Sequence, residues 1–273
     1  MRYIAANVVA DHAYLIPIGD IHIGDKAFGK VGRSKLRGYI EWVQKTPNAR
    51  IFLMGDIFNV ASRQSKTSPF ESSASEYEEA EGIFKPVAKQ IIGAIDGNHE
   101  ARMLDMFGYS PLQALCSRLE VPYCGWSAVV ELGVGASSNG KKDGTIKNVR
   151  NTYFVYCHHT TGGGGTLGGA LNRSVKLQDL VQGIDVYCGG HNHNLATGVR
   201  SVMVPYPQGQ RMREHKITYV DCGSYLDWDG SYAEKGMLPA GKLGSPRIRF
   251  AGYSHTHHDG KLTDDSRDVH VSL

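Results

Sequence analysis

The chain reads as an α/β protein, with strands and helices alternating in its first half and short strands forming a second sheet in its second half. Short apolar runs at Tyr14 to Ile18, Arg50 to Met54 and Ile91 to Ile95 are strand-like, and each leads into a Gly-Asp or Gly-Asn block. Helical stretches lie between them, Ser34 to Lys45, stopped near Pro47, and 75 to 90, whose start carries Glu76, Glu78, Glu79 and Glu81. That alternation predicts parallel βαβ units around a buried sheet. After a helix at Pro111 to Leu119, strand-length runs follow at Ala128 to Leu132, Thr152 to Cys157, Asp185 to Cys188, Thr197 to Val204 and Lys216 to Cys222. A second sheet packed on the first is the economical arrangement.

At 273 residues and 41% hydrophobic content the chain is long enough for a sizeable core. No repeat or linker divides it, so residues 1–273 are read as one domain, with 225–273 an extension of unassigned role. Residues 133 to 149 are polar and read as a hairpin or loop. The net charge of +3 neither demands nor excludes a nucleic-acid partner. Five cysteines without CxxC spacing, three in strand-like runs, read as free buried thiols in a reducing compartment. Met1 to Val9 lacks a secretory pattern and no segment reaches the ~18 apolar residues of a membrane span. A cytoplasmic location without membrane contact is the expectation.

Five blocks of Asp, Asn and His recur in order: Gly19-Asp20-Ile21-His22, Gly55-Asp56-Ile57-Phe58-Asn59, Gly97-Asn98-His99-Glu100, His158-His159 and Gly190-His191-Asn192-His193. Each stands where a strand gives way to a loop, which is where open α/β sheets build sites. Carboxylate, amide and imidazole donors without thiolates suit two small divalent cations. Two such ions about 3.5–4 Å apart make a phosphoryl-transfer site, one holding the attacking oxygen and both clamping the phosphate.

Singly the blocks say less. Asp20-x-His22 on an extended segment points both side chains one way, although surface DxH is common. Asp56 is the candidate for a bridging carboxylate, with a turn or N-cap role as the competing reading. Strand alternation lets only one of His158 and His159 face the metals, and His159 is favoured because the loop starts directly after it. The Thr160 to Gly169 loop holds six glycines and reads as a substrate contact or a connector. Lys26, Lys30, Arg33, Lys35 and Arg37 form either a site rim or a solvated helix face. Arg102 is a candidate fork donor to phosphate, or half of a surface ion pair. The histidine-rich Ser254 to Asp259 stands outside the ordered set and reads as a solvated tail.

Together the blocks resemble the DxH, GDxx(D/N), GNH(D/E), H and GHxH motifs of the calcineurin-like metallophosphoesterase superfamily, over roughly residues 14 to 224. The resemblance implies a four-layer αββα sandwich of two mixed sheets flanked by helices. It implies that Asp20, His22, Asp56 and His193 hold one ion and that Asp56, Asn98, His159 and His191 hold the other. Manganese is the expected metal, with iron, zinc, nickel or magnesium as alternatives. His99 would serve as general acid, with Glu100 a possible orienting partner. Asn59 stands where Asp is commoner and is not counted as a ligand. The expected substrate is a phosphodiester in a nucleic acid or nucleotide. The alternatives are a phosphomonoester and, in another class, a non-catalytic phosphate- or nucleic-acid-binding module. The chain after residue 224 is too short for the capping domain of the superfamily's repair nucleases.

Overall fold

The computed structural model describes residues 1–60, 73–135, 150–162, 166–206, 210–229, 231–235, 240–252 and 267–273. In chain order the elements are β1 (Arg2–Val8), β2 (His12–Ile18), α1 (Lys30–Gln44), β3 (Ala49–Leu53), α2 (Ser73–Phe84), β4 (Ile91–Ala94), α3 (Asn98–Phe107) and α4 (Pro111–Leu119). The second half contributes β5 (Ser127–Val134), β6 (Asn151–His158), α5 (Leu167–Lys176), β7 (Val186–Gly189), β8 (Leu195–Tyr206), β9 (Arg211–Cys222), α6 (Tyr232–Lys235), β10 (Arg247–Ala251) and β11 (Val269–Ser272). Five strands form one mixed sheet in the order β11-β10-β2-β3-β4, and six form the other in the order β1-β5-β6-β7-β9-β8.

The expected four layers are present. Leu15, Phe52, Ile248 and Phe250 of the five-stranded sheet share a buried cluster with Val130, Val155, Val186 and Val220 of the six-stranded sheet, and this cluster is the layer between the sheets. On the outer face of the first sheet, Ile16, Ile18, Ile51 and Leu53 meet Leu36, Ile40 and Val43 of α1, with Phe84 and Leu115. Because β2 and β3 are covered on both faces, they read as unbroken apolar runs rather than alternating ones. A third cluster, Val129, Tyr156, Tyr187, Ile217 and Tyr219 with Leu177, covers the outer face of the second sheet.

Helix α1 forms because Leu36, Tyr39, Ile40 and Val43 repeat at helical spacing and are all buried. Its first N–H groups have no local cap. The carboxylate of Asp227 accepts from Val31 N and Gly32 N instead, at 3.2 and 2.8 Å, an anion placed on a positive helix end. Ser110 caps α4 by accepting from Gln113 N at 3.1 Å.

The structure adds elements the sequence reading lacked. β1 lies parallel to β5, α3 begins at Asn98 itself, and α5 follows the glycine-rich loop. The segment after residue 224 is hydrogen-bonded into the first sheet rather than appended to it, since β10 runs antiparallel to β2 with Ile248 opposite Leu15, and β11 pairs with β10. Residues 136–149 of the expected hairpin, residues 163–165 of the glycine-rich loop and the histidine-rich 254–259 lie outside the described residues. All five cysteines are buried and free. No helix among the described residues is long and apolar enough to cross a membrane.

Candidate functional site

The carboxyl ends of β2, β3 and β4 in one sheet, and of β6 and β7 in the other, converge on one place. There the chain delivers Asp20, Asp56, Asn98, His159, His191 and the two neighbouring histidines His22 and His193. Strand alternation does not aim Asp20 and His22. Both lie beyond the end of β2 with left-handed backbone, φ 50° and 52°. Asp56 (φ 48°), His191 (φ 74°) and His193 (φ 54°) share that region, which non-glycine residues enter at a cost of about 1 kcal/mol or more each. Asp20 and His22 still come to one donor group, but through turns rather than through extended chain.

Asp56 stands at the centre. Its Oδ2 lies 3.2 Å from His159 Nε2, 3.7 Å from His22 Nε2 and 4.0 Å from His99 Nε2. Its Oδ1 accepts from the backbone N–H of His99 at 2.8 Å. Gly97 is required beside it, because a Cβ there would come within 2.2 Å of that same oxygen. Donor atoms fall into three mutually close groups: Asp20, His22 and His193; Asp56, His159 and His191; and His22, Asp56 and His99. Two side chains, Asp56 and His22, each belong to more than one group.

Asp20 is fully buried and tied down on several sides. Its carboxylate accepts from His191 N, its Oδ1 is 3.4 Å from His193 Nε2, and the Cys222 thiol reaches its Oδ2 at 3.4 Å. Its carbonyl accepts from Ser224 Oγ at 2.9 Å. Burial opposes the charge of both aspartates, but the facing histidines win: His193 and His159 hold Asp20 below the usual carboxylate range, and His159 and His22 do the same for Asp56.

His159 Nδ1 donates to the carbonyl of Met54 at 2.7 Å, which fixes the tautomer and aims Nε2 at Asp56. Nε2 also lies 3.3 Å from Asn98 Oδ1, and that oxygen is 2.7 Å from His191 Nδ1. With a neutral imidazole these are acceptor atoms crowded on one point, a disposition that calls for a cation. Burial works against the charge of the His159 ring, yet Asp56 and Asp20 facing it raise its pKa to about 10. His22, by contrast, is pushed down to about 3 by burial. Turning the Asn98 amide over gives the alternative arrangement, in which its nitrogen donates to these groups and its oxygen accepts from Arg102 Nη2 at 3.3 Å. The donor set thus fits divalent cations of the first row.

His158 points elsewhere: its Nδ1 accepts from Thr160 N at 2.8 Å and it makes no part of the donor groups. His99 is closer to the cluster than its sequence position implied. Its Nδ1 is bonded to the carbonyl of Asn59, its ring meets that of His22 at 4.4 Å, and burial lowers its pKa. Its orienting partner is therefore Asn59 O and not Glu100.

Glu100 does something the sequence reading missed. Its buried carboxylate accepts from four backbone N–H groups, those of Asp56, Ile57, Phe58 and Gly97, at 2.8 to 3.0 Å, clamping the turn that carries Asp56. Burial, with Asp56 close by, pushes its pKa up to about 8, and the N–H donors of Phe58 and Gly97 pull against that rise. Glu at the third helical position after Gly97 is the spacing of a capping box, the one signal that pointed to this role. Asn192, between His191 and His193, donates to Asp221 at 3.2 Å, a second buried anchor without a sequence signature.

The basic residues divide. Arg33 pairs with Glu79 through two contacts of 2.7 and 3.0 Å, so it does not belong to a site rim. Lys30 and Lys35 line a groove along α1. Of the glycine-rich loop, Thr160 is anchored by donating to Gly190 O at 2.8 Å, and Thr166 caps α5 by accepting from Gly169 N.

The family model of the calcineurin-like phosphoesterases matches residues 15–195. No curated protein matches the chain. Among solved structures, it is similar to Yfce, a phosphoesterase from E. coli, at 15% identity and a TM-score of 0.41, over 86% of this chain and 87% of that one. It is also similar to the NAD nucleotidase NadN of Haemophilus influenzae, at 9% identity and a TM-score of 0.42, over 96% of this chain and 49% of that one. The family match spans well over half of the chain and includes all five donor blocks in full, with β1, β9 and nearly all of β8 outside its reach. The chain belongs to the calcineurin-like phosphoesterase family, whose members hydrolyse phosphoester bonds.

Proposed function

We propose that the chain is a two-cation phosphodiesterase acting on a nucleic acid or nucleotide. The observation that carries the two-cation reading is the position of Asp56, whose carboxylate is shared between donor groups on either side of it. Asp20, His22, Asp56 and His193 would hold one ion, and Asp56, Asn98, His159 and His191 the other, with manganese the ion to load first. When bound, such a pair of cations polarises the phosphoryl group and supplies an activated water as nucleophile.

The remaining roles belong to side chains. Arg102, placed beside Asn98, would grip a non-bridging phosphate oxygen with its guanidinium fork. His99 would protonate the leaving oxygen from Nε2, its other nitrogen being fixed on Asn59 O. Burial favours the neutral ring in the free protein, so the proton has to be taken up alongside the anionic substrate, whose charge raises the pKa again. A diester is preferred because, among the described residues, Arg102 is the arginine placed beside the donor cluster, and one guanidinium suits one negative charge on the reacting phosphate.

The histidine pair gives a direct check on the ligand set. His159→Ala is expected to reduce metal content by about one ion per chain, and His158→Ala to keep both while altering only the Thr160 turn. Elemental analysis of the two purified variants decides it, and the reverse pattern would transfer the ligand role to His158.

The substrate is tested with manganese-loaded protein on bis(p-nitrophenyl) phosphate, p-nitrophenyl phosphate, a single-stranded oligonucleotide and a cyclic nucleotide. Cleavage of the diester and of at least one nucleic acid or cyclic nucleotide is expected. His99→Ala should slow substrates with basic leaving oxygens by about 10²–10⁴-fold and p-nitrophenyl esters far less, because p-nitrophenolate leaves without a proton. Fast monoester hydrolysis without diester cleavage would replace the proposal with a phosphatase.

A further inference from the structure

Along the outer side of α1 runs a groove of 660 Å³ lined by Lys30, Ser34, Lys35, Tyr39 and Arg247. It carries three cations and, among the described residues that line it, no acid. The contrast with Arg33, on the same helix but neutralised by Glu79, is direct. Arg247 is built into the wall. Its guanidinium lies 4.5 Å from the centre of the Trp42 ring and 5.1 Å from that of Tyr39, and the Lys35 ammonium stands 5.9 Å from the Tyr39 ring. Held flat in this way, the guanidinium has its Nε buried with no hydrogen-bond partner among the described residues. A planar guanidinium held in the wall, its Nε unpartnered among the described residues, with two ammonium groups and a hydroxyl lining the same groove, is complementary to a phosphate.

The groove is joined to the donor cluster by a short path. Tyr39 OH donates to Ser245 O, Tyr225 OH donates to Ser245 Oγ, and Tyr225 N donates to the carbonyl of Asp20. Arg247 opens β10 one position beyond the Ile248–Leu15 pair, which puts it level with Ile16. Four residues separate Ile16 from Asp20, at most about 13 Å at the rise of a strand. At about 3.4 Å per nucleotide along a duplex strand, that is the span of about four nucleotides.

We propose that this groove is a second anion site, which holds a phosphate of a nucleic-acid strand a few nucleotides from the one that reacts. The assignment rests on the nucleic-acid reading of the substrate and extends it from the reacting phosphate to the flanking strand. It makes binding of an oligonucleotide depend on residues that a small ester never meets.

The test is equilibrium binding of a labelled single-stranded oligonucleotide to the full chain, read by fluorescence anisotropy across a salt series. The variants are Lys30→Glu with Lys35→Glu, Arg247→Gln, and Arg37→Glu as an exposed α1 charge outside the groove. The double reversal should weaken binding by about tenfold or more and flatten the log–log salt slope by about 1.4, at about 0.7 per lost phosphate contact on a single strand. Arg247→Gln should flatten it by about 0.7. Arg37→Glu should leave the slope near that of the unmodified chain. Equal slopes for all proteins, or an equal loss with Arg37→Glu, would overturn the groove and leave the nucleic-acid reading standing. If the unmodified chain cleaves bis(p-nitrophenyl) phosphate but neither binds nor cuts the oligonucleotide, the nucleic-acid reading falls, and the groove assignment falls with it.

Discussion

Asp56→Asn is expected to yield a folded protein that retains at most one cation and loses nearly all turnover. The substitution keeps the shape of the side chain, so Oδ1 can still accept from His99 N. It removes the negative charge that faces three imidazoles within 4.0 Å. A neutral amide has one oxygen to offer where the shared position needs two anionic ones. The loss should exceed the about 10–100-fold that removing a group behind a metal ligand costs, since on the proposed ligand set it is a ligand itself that goes. Metal analysis and a melting curve on the same sample separate a lost ion from a lost fold. Two retained ions with near-normal rate would remove Asp56 from the centre of the site and with it the proposed pairing of ligands.

The second large effect is structural in origin. Glu100→Ala would leave the N–H groups of Asp56, Ile57, Phe58 and Gly97 buried and facing a cavity. At about 1–3 kcal/mol for each unsatisfied group, and with water recovering some of them, a loss of about 3–5 kcal/mol is expected. That corresponds to a fall in Tm of about 10 °C or more in a chain of this size. Because the same N–H groups hold the turn carrying Asp56, metal affinity should fall with stability. Glu100→Gln, which keeps one acceptor oxygen, should land between the two. An alanine variant that melts with the unmodified chain would show that the turn is held by its glycines alone.

The candidate site was legible in the sequence because its donors come in short blocks, four of the five opening on a glycine, and that pattern survives whatever the local backbone does. The turns that aim the donors were not legible: nothing in the identity of Asp20, His22, Asp56, His191 or His193 announces a positive φ, which is imposed by packing at the strand ends. Helices α1 and α4 could be read from apolar residues at helical spacing. α3 could not, since Met106 and Phe107 at its end face solvent and its start is taken up by the ligand block. α5 has two poor helix formers, Gly168 and Gly169, in its first turn and leans on the Thr166 cap. β1 is an edge strand with most of its side chains exposed, so its seven residues carry little apolar pattern. His158 and His159 illustrate the limit of strand logic: it requires them to diverge, but which one faces Asp56 is decided by the Met54 carbonyl, 105 positions away in the chain.

The place of β10 beside β2 has a consequence for how the protein is made. Leu15 leaves the ribosome about 230 residues before Ile248, its neighbour in the sheet, which at about 5–20 residues per second is a wait of tens of seconds. Through that interval β2 has β3 on one side and an open row of N–H and C=O groups on the other, flanked by apolar side chains meant for the interior. Such an edge is a template for joining another nascent chain. The growing polypeptide therefore carries this open edge until β10 emerges to cover it.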